Sequence, residues 1–239
     1  MIDPNNRVVM ISGANRGIGL AIARNLYQAG FSLSLGARKI SSLDNIIKNY
    51  DENRILNARF DAIDKKSHED WVNKTLEKFN GIDCLVNNAG IIESVSVDDE
   101  VDNEDALDRM WAVNVKAPLS LTRLALPYLK KSGAGRVVNV ASLAGKAVYG
   151  SSVGYSMTKF AVVALSHATR HGGWDDGVRC TALCPGYVAT DMTSEVESIS
   201  VDSMISPTDL AEIVRTIISL SNTASVAELV VNCRPDIIA

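Results

Sequence analysis

The chain has 239 residues, 46% hydrophobic and 22% charged, the balance of an ordinary globular protein and not of a disordered one. Its net charge of −4 excludes a generic nucleic-acid binder, whose affinity rests on Lys and Arg neutralising phosphates. No stretch reaches the ~18 apolar residues of a membrane span, and the opening MIDPNNRVVMISGA lacks a basic segment before a long apolar run, so a cytoplasmic location away from membranes is expected.

Apolar, β-rich runs recur along the chain at Arg7 to Ser12, Ser32 to Ala37, Ile55 to Phe60, Cys84 to Asn87, Arg136 to Val140, Val178 to Cys184 and Glu228 to Cys233. Several lack a polar alternate face, which predicts strands buried on both sides. Helix-period segments lie between them: Leu43, Ile46, Ile47 and Tyr50 in one, Val72, Leu76 and Phe79 in another. Ser41 and Ser67 are candidate N-caps, and Ser206 before Pro207 reads as an N-cap with proline at the first helical position. The repeated βαβ order predicts an α/β, single-domain Rossmann fold over residues 1–239, a doubly wound parallel sheet of about seven strands with helices on both faces. The acidic run Asp98 to Asp108 reads as a solvated loop entering a helix, with a docking surface for a cationic partner as the alternative. The cysteines, Cys84, Cys180, Cys184 and Cys233, form no CxxC pair and are expected to be buried, reduced thiols.

The first strand runs into SGANRGIG, where Gly13, Gly17 and Gly19 open a helix. Such a turn lets backbone N–H groups and the positive helix end approach a pyrophosphate, although tight helix–strand packing alone also calls for glycine. After the second strand, where an NAD site carries an acid for the ribose 2′-OH, the chain reads GARK. Arg38 there and Arg16 in the turn suit a 2′-phosphate, so NADP(H) is the expected cofactor; the alternative is two solvated arginines. Asp61, after the third strand, fits either a contact to the adenine amino group or a turn.

In YSMTK, Tyr155 and Lys159 stand one helical turn apart. A tyrosine of pKa near 10 is a poor acid or base at neutral pH, and a neighbouring ammonium is expected to lower it. Ser142, after the fifth strand, is placed to hold a carbonyl oxygen. Tyr149, the competing tyrosine, has Val153 four residues on, which carries no charge. With a hydride donor, these residues predict interconversion of a carbonyl and an alcohol, Tyr155 acting as general acid or base.

In order, SGANRGIG, FDAID, NNAG (Asn87 to Gly90), Asn114 in AVNVKAP, Ser142, YSMTK and CPGYVATDM (Cys184 to Met192) make the chain, from Val8 to about Asn232, strongly resemble the short-chain dehydrogenase/reductase family. The resemblance implies a catalytic tetrad of Asn114, Ser142, Tyr155 and Lys159, Asn114 helping to hold a water that links Lys159 to solvent, and Lys159 also bonding the nicotinamide ribose. It implies a cofactor cradle of Gly13, Asn15, Arg16, Gly17, Ile18 and Gly19, with Asn88, Ala89 and Gly90 flanking the cofactor. Pro185, Gly186, Val188 and Thr190 would line the nicotinamide carboxamide. It also implies a homotetramer or homodimer built on the helices beginning near Asp105 and Val153.

Ser12 replaces the family's usual threonine, and Gly172 and Gly173 replace helix-favouring residues, which predicts an early end to that helix and a weakened subunit interface. His167 and His171 stand at a zinc-compatible spacing but lack a third ligand, so a surface pair is expected. A Ser-His-Asp hydrolase is disfavoured, because Ser142 is not in GxSxG. A cofactor-binding but catalytically silent sensor or scaffold is the alternative, and a methyltransferase would not need the Tyr–Lys pair. Residues 190–206 are expected to cover the substrate pocket as a short polar lid, with Met192 and Met204 its largest apolar groups.

Overall fold

The structure is a computed structural model, and it describes residues 1–44, 46, 48, 50–100 and 103–235. Seven parallel strands form one sheet in the order β3-β2-β1-β4-β5-β6-β7: β1 (Val8–Ser12), β2 (Ser32–Ala37), β3 (Ile55–Arg59), β4 (Cys84–Asn87), β5 (Arg136–Val140), β6 (Arg179–Pro185) and β7 (Glu228–Val231). Each lies within two residues of its predicted run. β1, β2, β4 and β5 show almost no polar alternation because both faces are covered: all five residues of β1 and of β5 are buried.

Helices α1 (Gly17–Gln28) and α7 (Pro207–Ser219) cover one face, α1 through Ile22, Ala23 and Leu26 and α7 through Ala211, Val214 and Ile218. The other face carries α3 (Lys65–Phe79), α5 (Ala117–Lys131) and α6 (Gly154–Gly173), with Trp71, Leu121 and Val162 buried against the strands. A short α2 (Ser41–Asp44) follows β2, and α4 (Glu104–Trp111) precedes α5. β1 pairs with both β2 and β4, so the strand order reverses there, the switch point at which such sheets form a crevice at the carboxyl ends of the strands.

Local departures from the sequence reading have physical causes. Of the apolar pattern of Leu43, Ile46, Ile47 and Tyr50, Leu43 lies in α2, four residues long among the described residues; Ile47 lies outside them, and Tyr50 stacks on Tyr27 with ring centroids 3.8 Å apart. Asp64, not Ser67, caps α3, accepting from the N–H groups of Lys66 and Ser67; a carboxylate is the better acceptor at a positive helix end. The Ser67 hydroxyl instead donates to the carbonyls of Asp61 and Asp64. Ser206 caps α7 as expected, with its side chain accepting from Thr208 N. In the acidic run, Asp99 accepts from Ser96 N and Asn103, and Glu104 opens α4; Val101 and Asp102 lie outside the described residues. Cys84, Cys180 and Cys184 are buried, but Cys233 is only half-buried.

The expected early end of α6 does not occur, since the helix includes both Gly172 and Gly173. A Cβ on Gly173 would stand 2.6 Å from Val178 Cβ. The glycine is there because β6 begins hard against the last turn of the helix, and that contact outweighs its low helix propensity.

Candidate active site

The glycine turn is built by close approach. Gly13 and Gly17 have φ of +67° and +53°, a region that favours glycine, and a Cβ on Gly19 would fall 2.3 Å from the Gly13 carbonyl oxygen. The turn is tied to the end of β4 by Ser12 and Asn88. The N–H groups of Asn88 and Ala89 both donate to Ser12 Oγ, at 3.0 and 3.1 Å, and Asn88 Nδ2 donates to the carbonyls of Ser12 and Gly13 at 2.9 and 3.2 Å. A serine hydroxyl suffices for these bonds, so the missing threonine methyl costs the turn no polar contact. Ile18 packs into the core beside Val188, Ile213 and Val231, while Asn15 is half-buried at the turn.

The two arginines expected to converge are arranged differently. Arg38 is exposed just after β2, whereas Arg16 Nη1 donates to Asp191 Oδ2 at 3.0 Å. Asp61 is held as a turn residue: its carboxylate accepts from Ile63 N at 3.3 Å and pairs with Arg59, and its carbonyl meets Ser67 Oγ and His68 Nε2, each at 3.0 Å.

On the other side of the crevice, Ser142 caps a short 3₁₀ turn (Leu143–Gly145), its Oγ accepting from Ala144 N at 3.1 Å. Gly145 presses this turn onto α6, since a Cβ there would stand 2.7 Å from the Lys159 carbonyl oxygen. Ser142, Tyr155 and Lys159 are thus brought together by one tight helix contact. Tyr149 is 55% exposed on the loop between. Burial pushes the Tyr155 phenol up to about 12, partly offset by its hydrogen bond with Ser142. Lys159 is 5% exposed, its Nζ donates to the Val140 carbonyl at 2.9 Å, and burial pushes it down to about 8.

Burial outweighs the lowering of the phenol expected from Lys159. Its ammonium lies 5.5 Å from the Tyr155 ring centroid and is bonded to a carbonyl, so desolvation dominates both groups and disfavours both charges. At neutral pH Tyr155 keeps its proton.

Asn114 occupies a single π-helical turn (Ala112–Lys116) between α4 and α5, the kind of local irregularity that gathers at functional sites. Its Oδ1 accepts from Ile91 N at 2.9 Å, and its Nδ2 donates to Ile91 O at 2.9 Å and Thr158 Oγ1 at 3.1 Å. Asn114 therefore locks the segment after Gly90 to α6, one residue from Lys159; Thr158, which the sequence reading passed over, also donates to Tyr155 O at 2.8 Å. Pro185 ends β6, Gly186 N donates to Val231 O at 2.8 Å, Val188 is buried, and Thr190 starts a capped turn (Asp191–Thr193). The segments after β1 to β6 thus each carry a residue the sequence singled out.

A family profile described as short chain dehydrogenase matches residues 7–200. The chain belongs to the short-chain dehydrogenase family. Agropine synthesis reductase of Rhizobium rhizogenes is 45% identical over 226 residues, which are 95% of this chain and 52% of that protein. The chain thus spans about half the length of that relative. Among solved structures, an alcohol dehydrogenase from Thermococcus sibiricus complexed with 5-hydroxy-NADP superposes with a TM-score of 0.87 at 29% identity, over 97% of this chain and 99% of that one. A 3-ketoacyl-(acyl-carrier-protein) reductase from Brucella melitensis complexed with NADH superposes at 0.88 with 24% identity, over 98% and 99%, a likeness of fold. Among the described residues, no helix is long and apolar enough to cross a membrane.

Proposed function

We propose that this chain is an NADP(H)-preferring carbonyl reductase in which Tyr155 delivers the proton. The observation that carries the reading is the cluster of half-buried Ser142 and Tyr155 with buried Lys159, in which burial holds the phenol up to about 12 and the lysine down to about 8. Reduction needs an acid that still holds its proton, and Tyr155 holds it at neutral pH. The crevice suits a dinucleotide: the glycine turn, with Gly13 and Gly17 at positive φ, leads into the start of α1, where backbone N–H groups and the positive helix end favour a pyrophosphate. The reductase name of the Rhizobium relative and the NADP analogue bound by the Thermococcus protein lend further support.

When bound, NADPH supplies the hydride. The Ser142 hydroxyl donates to the carbonyl oxygen and orients it, and Tyr155 Oη gives its proton to that oxygen as negative charge develops there. The Lys159 ammonium stabilises the phenolate left behind and bonds the nicotinamide ribose. Asn114 keeps a lone pair on Oδ1 for a water leading from Lys159 to solvent, the route by which Tyr155 regains its proton. Arg16 and Arg38 take the 2′-phosphate, and Asp61 the adenine amino group. Thr190 and the backbone of Pro185, Gly186 and Val188 meet the carboxamide.

Residues 190–206 act as the lid. Its ends are closed on each other by the Val188↔Ile205 bridge and the Ala189 N to Ile205 O bond at 3.0 Å. Met204 is buried in that closure, which leaves Met192, 47% exposed, as the lid's free methionine. Ile92, Val148 and Tyr149, exposed on the loops after β4 and β5, complete a short apolar rim suited to varied uncharged carbonyls. Exposed Met157 and Phe160 on α6 support a homo-oligomer through that helix, which the two glycines do not interrupt. The cytoplasm is the expected location.

Initial rates of NADPH and NADH oxidation over a panel of aldehydes and ketones, with Tyr155→Phe as control, test the reading. Turnover with NADPH that collapses in the variant supports it. Cofactor binding without turnover of any carbonyl would favour the silent-sensor alternative.

A further inference from the structure

Arg16 is bound to the lid. The pair it makes with Asp191 joins two side chains 175 positions apart, 66% and 73% exposed. It links the glycine turn to the first residue after Thr190. Asp191 does not depend on Arg16 for its own placement. Thr193 Oγ1 donates to the carbonyls of Thr190, at 3.0 Å, and Val188, Ser194 Oγ donates to the Asp191 carbonyl at 2.9 Å, and the Thr190 methyl lies against Gly17, 3.3 Å from where a Cβ would stand. The turn thus fixes the Asp191 backbone independently of Arg16, and from there its carboxylate reaches the guanidinium.

We propose that Asp191 is a positioning residue that sets cofactor choice through Arg16: it occupies the guanidinium and opposes a ribose 2′-phosphate, and so holds down the preference for NADP(H) over NAD(H). The proposal rests on the reading above that Arg16 meets the 2′-phosphate. A phosphate of charge near −2 must displace or crowd the carboxylate to reach Arg16, and like charges a few ångströms apart disfavour one another. NADH, lacking that phosphate, leaves the pair intact. Any effect on the pyrophosphate, common to both nucleotides, cancels in the ratio of their affinities. An ion pair this exposed contributes little to the fold, so its carboxylate is free to serve selectivity.

The test is titration of the whole chain with NADPH and with NADH by calorimetry, for wild type, Asp191→Asn, Asp191→Glu, Arg16→Gln and the Arg16→Gln/Asp191→Asn double variant. Asp191→Asn is expected to raise the NADPH-to-NADH affinity ratio about two- to fivefold, the scale of one exposed charge interaction, and the gain is expected to shrink as salt is raised. Asp191→Glu restores the wild-type ratio, and the asparagine has no effect once Arg16 is glutamine. An unchanged ratio in Asp191→Asn overturns the proposal by making the pair incidental, and a lowered ratio overturns it by making Asp191 an orienting partner. If Arg16→Gln itself leaves the ratio unchanged, the assignment of Arg16 to the 2′-phosphate fails, whatever Asp191 does.

Discussion

Two cations stand at the carboxyl edge of the same sheet, Lys159 inside the crevice and Arg16 on its rim. Lys159 is 5% exposed and bonded to a backbone carbonyl; Arg16 keeps 66% of its side chain in solvent and is matched to a carboxylate. The interior cation is costly to hold charged, which moves its pKa by burial and makes it chemically responsive. The rim cation is cheap to hold and easily re-paired, which suits recognition of an exchangeable phosphate. Substitutions at the interior should therefore change the chemistry and, at Lys159, the pH dependence of stability, whereas those at the rim should change only which nucleotide is taken.

The largest effect is expected inside. Tyr155→Phe removes the proton donor and should lower kcat about 10²- to 10⁴-fold, the range for a general acid, with NADPH affinity and melting temperature close to wild type; a rate loss that follows a loss of binding would point to a structural tyrosine. Lys159→Met is expected to be nearly as inactive yet no less stable, because a buried ammonium disappears. The sign follows from linkage. With the folded pKa lowered from 10.5 to about 8, the folded state releases a proton the unfolded state keeps, so stability contributed by this group is full above about 10.5 and is lost as pH falls toward 8. The shift corresponds to on the order of 3 kcal/mol, so urea melts between pH 8 and 10 should show wild type gaining stability relative to Lys159→Met as pH rises.

Intermediate in size is Gly19→Ala. The added methyl meets the Gly13 carbonyl oxygen, and overpacking against backbone costs roughly 1–3 kcal/mol; a drop in melting temperature together with weakened binding of both nucleotides is expected. The smallest effect belongs to the rim. Arg38→Ala should weaken NADPH by about tenfold, as expected for loss of one charge-assisted phosphate contact, and leave NADH and melting temperature unaltered. Equal weakening of both nucleotides would erase the contrast between interior and rim.

Regions differ in how far the sequence reveals them. Strands were legible because burial on both faces leaves unbroken apolar runs, Tyr155 and Lys159 because their spacing implies one turn of one helix, and Ser142 because it follows the fifth strand. The polarity of that site was not legible. Adjacency of Tyr155 and Lys159 suggested a lowered phenol, but only the packing shows the ammonium turned to Val140 and desolvation in command. Neither was the partner of Arg16, since Asp191 is distant in the chain and nothing local marks the pair. The π-helical turn holding Asn114 and the close approach that requires Gly173 likewise depend on neighbours that no periodicity records. The one cue available in hindsight was FDAID itself, in which Asp64 stands where an N-cap must.

The most direct test of the central claim is the pH dependence of kcat/KM for NADPH-driven carbonyl reduction, which reports the ionisation of the free enzyme's essential groups. Lys159 must be protonated and Tyr155 must hold its proton, so kcat/KM should be level near neutrality and fall as pH rises through about 8, where the buried lysine loses its charge. A profile that stays flat to pH 10, or one that climbs as a phenolate forms, would contradict a protonated Tyr155 working beside a buried Lys159.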